Sequence, residues 1–84
     1  MYSIHFTKMA LRFLKQQDSK TSGRVLAKIE KVAKDPYAPN ANIRKLIGRE
    51  GYRLRVGDIR VIYEIYNQTL VIDVMEIGYR GSIY

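Results

Sequence analysis

The chain has 84 residues, with 15 Lys and Arg against 8 Asp and Glu for a net charge of +7, one His, and neither Cys nor Trp. No disulfide framework, thiolate nucleophile or cysteine-based zinc site is available to it, and a single His leaves little for a Ser-His-Asp triad or a His-rich metal cluster. Its length is that of one domain, spanning 1–84, close to the lower limit at which one core supports itself.

The apolar runs are far shorter than the roughly 20 residues needed to span a bilayer. The start Met1-Tyr2-Ser3-Ile4-His5 lacks a charged region leading into an apolar stretch, so a soluble, unprocessed protein is expected, compatible with the cytoplasm. An apolar content of 46% with 27% charged residues fits a folded globule, not a disordered basic tail. The excess positive charge favours polyanions, acidic proteins or anionic membrane surfaces.

In chain order, Tyr2 to Phe6 alternates and reads as a strand. Thr7 is placed to cap a helix running to about Gln17, with Met9, Ala10, Phe13 and Leu14 on one face. Asp18 to Ser22 reads as a turn. A second helix is expected from about Ser22 to Lys34, with Val25, Leu26, Ile29, Val32 and Ala33 as its apolar stripe, stopped by Asp35-Pro36. Arg24, Lys28, Lys31 and Lys34 lie off that stripe, either as a solvated face or, for Lys28 and Lys31, as a contact for RNA or the ribosome. Residues 37–42 read as loop.

Thereafter the period changes to two. Strands are expected over Ile43–Ile47, Tyr52–Val56, Ile59–Tyr66 and Thr69–Ile77, joined by two-residue turns at Gly57-Asp58 and Asn67-Gln68. The order β-α-α-β-β-β-β defines an α+β class, an antiparallel sheet with the two N-terminal helices packed on one face.

A Gly57-Asp58 turn sets Val56 opposite Ile59, Arg55 opposite Arg60, Leu54 opposite Val61, Arg53 opposite Ile62 and Tyr52 opposite Tyr63. One face then carries Tyr52, Leu54, Val56, Ile59, Val61, Tyr63 and Ile65, which is a core. The other carries Arg53, Arg55 and Arg60, a like-charge cluster that costs stability unless it meets an anion. An Asn67-Gln68 turn would add Leu70, Ile72 and Val74 to the core face and set Asp73 near Arg53, where it would neutralise part of the patch. Arg80 and Tyr84 would then fold back toward Arg55 and Arg60, with Arg60 and Arg80 both expected as surface residues of the patch. Arg44, Lys45 and Arg49 extend the basic region against Glu50 and Asp58 alone. Arginine is the planar, bidentate ligand for phosphate.

Such a patch suits RNA phosphodiester cleavage, because the substrate's 2′-OH is its own nucleophile. The protein need align it, move two protons and stabilise charge on the phosphoryl oxygens. Arginines perform the last task, and a tyrosine with a lowered pKa performs proton transfer. Tyr84 near Arg55, Arg60 and Arg80 would have such surroundings; the alternative is a packing plug at the sheet edge. No metal or other cofactor is required by this chemistry.

The run Tyr52-Arg53-Leu54-Arg55-Val56-Gly57-Asp58-Ile59-Arg60-Val61-Ile62-Tyr63-Glu64-Ile65, with Lys45-Leu46-Ile47-Gly48 before it and Ile77-Gly78-Tyr79-Arg80-Gly81-Ser82-Ile83-Tyr84 after it, resembles the RelE/ParE superfamily of bacterial and archaeal type II toxins, in its RelE branch. The resemblance extends over essentially the whole chain. It implies the RelE-like microbial RNase fold and a ribosome-dependent mRNA endonuclease that cuts message in the A site. The implied partner is a cognate RelB-like antitoxin, forming a hetero-oligomer with it. By the same resemblance the family's basic pair corresponds to Arg53 and Arg55, its transition-state arginine to Arg60, its late arginine to Arg80 and its C-terminal tyrosine to Tyr84. Many relatives have Gly-His-Arg where this chain has Gly78-Tyr79-Arg80, so proton transfer falls to Tyr84 or Tyr79. The competing functions are a ParE-like inhibitor of DNA gyrase without nuclease chemistry and an inactive basic domain that binds antitoxin or RNA.

Overall fold

The computed structural model describes residues 1–81. The elements in chain order are β1 (Ser3–Phe6), α1 (Lys8–Gln16), α2 (Ser19–Lys34), β2 (Ile43–Lys45), β3 (Tyr52–Val56), β4 (Ile59–Tyr66) and β5 (Val71–Tyr79). This is the expected β-α-α-β-β-β-β order. The strands form one sheet in the order β1-β5-β4-β3-β2. Strands β2 to β5 are the antiparallel meander, whereas β1 lies parallel to β5, with Ile4 beside Ile72 and Phe6 beside Val74. The sheet is therefore mixed. Among the described residues no helix is long and apolar enough to cross a membrane.

The helices start where side-chain oxygens cap them. Thr7 accepts from the Ala10 amide at 3.2 Å, and its hydroxyl also donates to the Met75 carbonyl at 2.6 Å. Asp18 accepts from the Thr21 amide at 2.7 Å, which begins α2 at Ser19 and turns the expected 18–22 turn into a cap and first helical turn. Hydrogen bonding from the Thr21 side chain, and after it from the Thr21 amide, holds the Asp18 carboxyl below its ordinary pKa.

Both helices lie on one face. Ala10 and Leu14 of α1 and Val25, Ile29, Val32 and Ala33 of α2 pack with Leu54, Val56, Ile59, Val61, Tyr63, Ile72, Val74 and Ile77 in a single core. The β3–β4 register is as anticipated, because Gly57 adopts φ +61° and a two-residue primed turn fixes every pair behind it.

The second hairpin corrects the sequence reading. Its loop runs through Asn67, Gln68, Thr69 and Leu70, so that Tyr66 pairs with Val71. Leu70 takes a positive φ of 55° and is exposed, outside the core. A bulge at Ile62/Tyr63 then shifts the remainder, leaving Met75 as the extra residue between Val74, opposite Tyr63, and Glu76, opposite Ile62. On the loop side of the bulge, the longer loop sets Asp73 opposite Glu64 and not near Arg53, and Asp73 binds His5 Nδ1 at 2.8 Å. The bulge residue is the one whose carbonyl Thr7 holds.

Tyr63 is 1% exposed and its ring stacks on Tyr52, centroids 5.6 Å apart, yet its buried hydroxyl has no hydrogen-bond partner. Burial pushes this phenol well above its ordinary value near 10. Removing the orphaned hydroxyl in Tyr63→Phe is expected to raise stability by about 1 kcal/mol in urea unfolding at pH 7. The sign of the pH effect follows from linkage. A group whose folded pKa is raised contributes fully below its unfolded value near 10, and that contribution is lost as pH rises above it. The advantage of the Phe variant should therefore widen between pH 9.5 and 11; an unchanged difference would place the hydroxyl in contact with solvent.

Candidate functional site: an arginine face on the sheet

Strand alternation directs one set of β3 and β4 side chains away from the helices. Arg55 sits directly opposite Arg60, and one row along Arg53 sits between Arg44 of β2 and Ile62 of β4. The Arg55 amide donates to the Asn42 carbonyl at 2.9 Å, which ties β3 to the approach to β2. Four arginines from three strands thus share the outer face. None of them forms an ion pair: among the described residues the sole pair within 4.0 Å is His5 with Asp73.

Arg60 is not the surface residue expected from its place on the arginine patch. It is 7% exposed, the one buried charged residue of the described chain, and its Nη1 donates to the Gly57 carbonyl at 3.4 Å. Arg53 is half-buried and its Nε has no partner. Shielded cations without a carboxylate are costly, and an anion arriving at this face relieves that cost. Chemically, such an arrangement suits anionic oxygens, those of phosphate among them.

Beside Arg53 the face deepens into a cleft of about 450 Å³ lined by Arg44, Lys45, Leu46, Ile47, Arg49, Arg53 and Ile62. Its wall forms because β2 stops at Lys45, short of the expected Ile47. Gly48 then turns at φ +80°, and the Leu46 amide returns to the Gly51 carbonyl at 3.0 Å. Ile47 is left almost wholly exposed. Arg44, Lys45 and Arg49 therefore join Arg53, as the charge distribution along the chain implied. The apolar floor supplied by Ile62 was missed, although its pairing with Arg53 already placed it on this face.

At the other end, the Arg80 amide donates to the Asp58 carbonyl at 2.7 Å, fixing its backbone at the tip of the β3–β4 hairpin. Gly78, two residues earlier, pairs with Arg60. Arg24 of α2 also reaches this tip, since a Cβ on Gly57 would lie 3.4 Å from its Nη2. By sequence it belongs to the α2 face expected to meet solvent or a partner. Lys28 and Lys31 remain on the exposed side of α2, across the sheet from the arginines.

Tyr79 is not brought to the arginine face. It pairs with Ile59, a core residue, and its ring meets Phe13 edge-on at 5.5 Å. Its hydroxyl donates to Gln17 Oε1 at 2.8 Å. The structure thus places Tyr79 on the helix side, away from the role in proton transfer considered for it. Tyr84 lies outside the described residues.

The architecture is shared with known toxins. RelE in the archaeal RelE–RelB complex from Pyrococcus horikoshii OT3 superposes with a TM-score of 0.82 at 26% identity, covering 96% of this chain and 97% of that one. The intact RelBE toxin-antitoxin complex of Escherichia coli gives 0.80 at 23% identity over 94% and 96%, a likeness of fold. A putative RelE-like toxin protein of Escherichia coli is 25% identical over 79 residues, covering 94% of this chain and 83% of that protein. The family model of the ParE toxin of type II toxin-antitoxin system, parDE, matches residues 4–84. The chain belongs to that family, and it is a type II toxin of the RelE/ParE superfamily.

Proposed function

We propose that this toxin is an endoribonuclease that cuts mRNA in the ribosomal A site, with Arg53, Arg55, Arg60, Arg80 and Tyr84 as its working residues. The observation that carries the reading is Arg60, buried and without a carboxylate, directly opposite Arg55. A surface that only docked on a protein would not require a desolvated, unpaired guanidinium.

In the reaction the 2′-oxygen attacks the adjacent phosphorus, its proton passes to a base, and the bond to the 5′-oxygen breaks. The leaving oxygen takes up a proton, giving a 2′,3′-cyclic phosphate and a free 5′-hydroxyl. Arg60, held against the Gly57 carbonyl, is set to bind the phosphoryl oxygens as charge accumulates there, and Arg55 shares that charge. Arg53, Arg44 and Arg49 would hold neighbouring phosphates, and the Ile62 floor an apolar part of the nucleotide. With Tyr79 engaged on the helix side, proton transfer in this proposal rests on Tyr84.

The natural regulator is a RelB-like antitoxin bound in a hetero-oligomer, as RelB is bound in the Pyrococcus complex. An acidic or amphipathic segment covering the arginine face would bind in a salt-sensitive way. The second reading, gyrase inhibition, is favoured by the family model being that of ParE.

Induced expression followed by primer extension on a translated message separates the two. Cuts within codons that vanish when initiation is blocked are the expected result. Intact message accompanied by supercoiling defects would establish the gyrase reading instead.

A further inference from the structure

Gln17 is the C-cap of α1, and its side-chain amide is used at both ends. Nε2 donates to the Phe13 carbonyl at 3.3 Å, which orients the amide so that Oε1 accepts from Tyr79 at 2.8 Å. Phe13, one turn earlier, presents its ring to Tyr79 in an edge contact with an interplanar angle of 61°. One residue of β5 is thereby gripped by a helix on the core side, while the next, Arg80, is held by its amide to Asp58 at the hairpin tip. Tyr79 and Arg80 are adjacent, so these restraints act on consecutive peptide units.

We propose that Tyr79 is a positioning residue: bridged to α1 through Phe13 and Gln17, it locks the end of β5 and so delivers Arg80 to the Arg60 end of the arginine face. This rests on the reading of Arg80 given above. It assigns the tyrosine a function in place of proton transfer, and it extends the working machinery to the end of α1. Since Gly78 pairs with Arg60, a twist of β5 at Tyr79 carries Arg80 away from the hairpin tip while the Gly78 pairing remains. Geometry of this kind affects rate more than binding, because the remaining arginines still attract the RNA.

The test compares Tyr79→Phe, Gln17→Leu and Gln17→Glu in full-length toxin on ribosomes programmed with message. The first two lose the hydroxyl-to-amide bond, whereas the glutamate keeps an acceptor for the tyrosine. The expected result is a kcat lowered roughly 3- to 10-fold in the first two, the size of one net hydrogen bond, with KM unchanged. Gln17→Glu, which keeps the acceptor for the tyrosine but not the Nε2 bond to Phe13, should cut faster than Gln17→Leu yet more slowly than the native chain, and the Phe/Leu double variant should lose no more than the larger single loss. Amide hydrogen exchange at Arg80 should quicken in both deficient variants. Native kcat in both, or losses that add in the double variant, would overturn the proposal. Faster Arg80 exchange alongside a native chain that cuts no message would leave the clamp standing and discard the nuclease reading instead.

Discussion

An Arg60→Lys variant is expected to cut translated message at least ~100-fold more slowly than the native chain, the loss typical of removing one preorganised donor from a developing oxyanion. Lysine keeps the charge and most of the buried stem, so packing beneath the arginine face survives. What it loses is the planar fork that grips two oxygens at once while remaining bonded to the Gly57 carbonyl. The thermal midpoint should move by less than about 6 °C, the shift that roughly 1 kcal/mol produces in a domain of this size. Alanine is the poorer choice, because a side chain only 7% exposed leaves a void as well as a missing charge. Lysine cutting at the native rate would show that this face binds RNA simply as positive charge, and the chemistry would have to be sought elsewhere.

The second large effect concerns stability. Ile72 is 0% exposed, in the strand that lies between β1 and β4, with Ile4 and Ile65 as its neighbours. Ile72→Ala removes three carbons where neighbouring strands leave little room for collapse, and should cost about 2–5 kcal/mol. In a chain of this length that corresponds to a fall in thermal midpoint of roughly 10–30 °C by circular dichroism. A loss under about 1 kcal/mol would contradict the close packing of β5. The same strand ends at the residues that carry Arg80, so partial loosening of β5 should reduce cleavage before the protein unfolds.

Much of this arrangement could be read from residue order. The Gly57-Asp58 turn needs a positive φ that glycine supplies cheaply, and a two-residue turn leaves only one register. From that single fact Arg55 and Arg60 were correctly placed opposite each other. Asn67-Gln68 has the look of a similar turn but lacks the glycine. The chain instead bends at Leu70, a residue with no intrinsic leaning to a positive φ, and the surrounding packing decides. The bulge at Met75 was equally hidden, since it depends on a hydroxyl bond from Thr7, nearly 70 positions away. Asp73 was misplaced because of the longer loop alone, since it pairs with Glu64 on the loop side of the bulge. The burial of Arg60 and the seat of Tyr79 on the helix side also escaped, because each depends on how the last strand settles on the rest. Register determines faces; depth comes from what packs over them.

The parallel pairing of β1 with β5 carries a consequence for how the toxin is made. Residues 3–6 find their partners only at residues 71–74, so the N-terminal strand cannot dock until β5 has been synthesised. Contacts this distant in sequence raise the contact order and form late. Arg53, Arg55 and Arg60 precede β5 in the chain, so they are made before the strand that finishes the sheet around them. Chains that stop short of β5 therefore carry the arginines of the outer face without the strand that frames them.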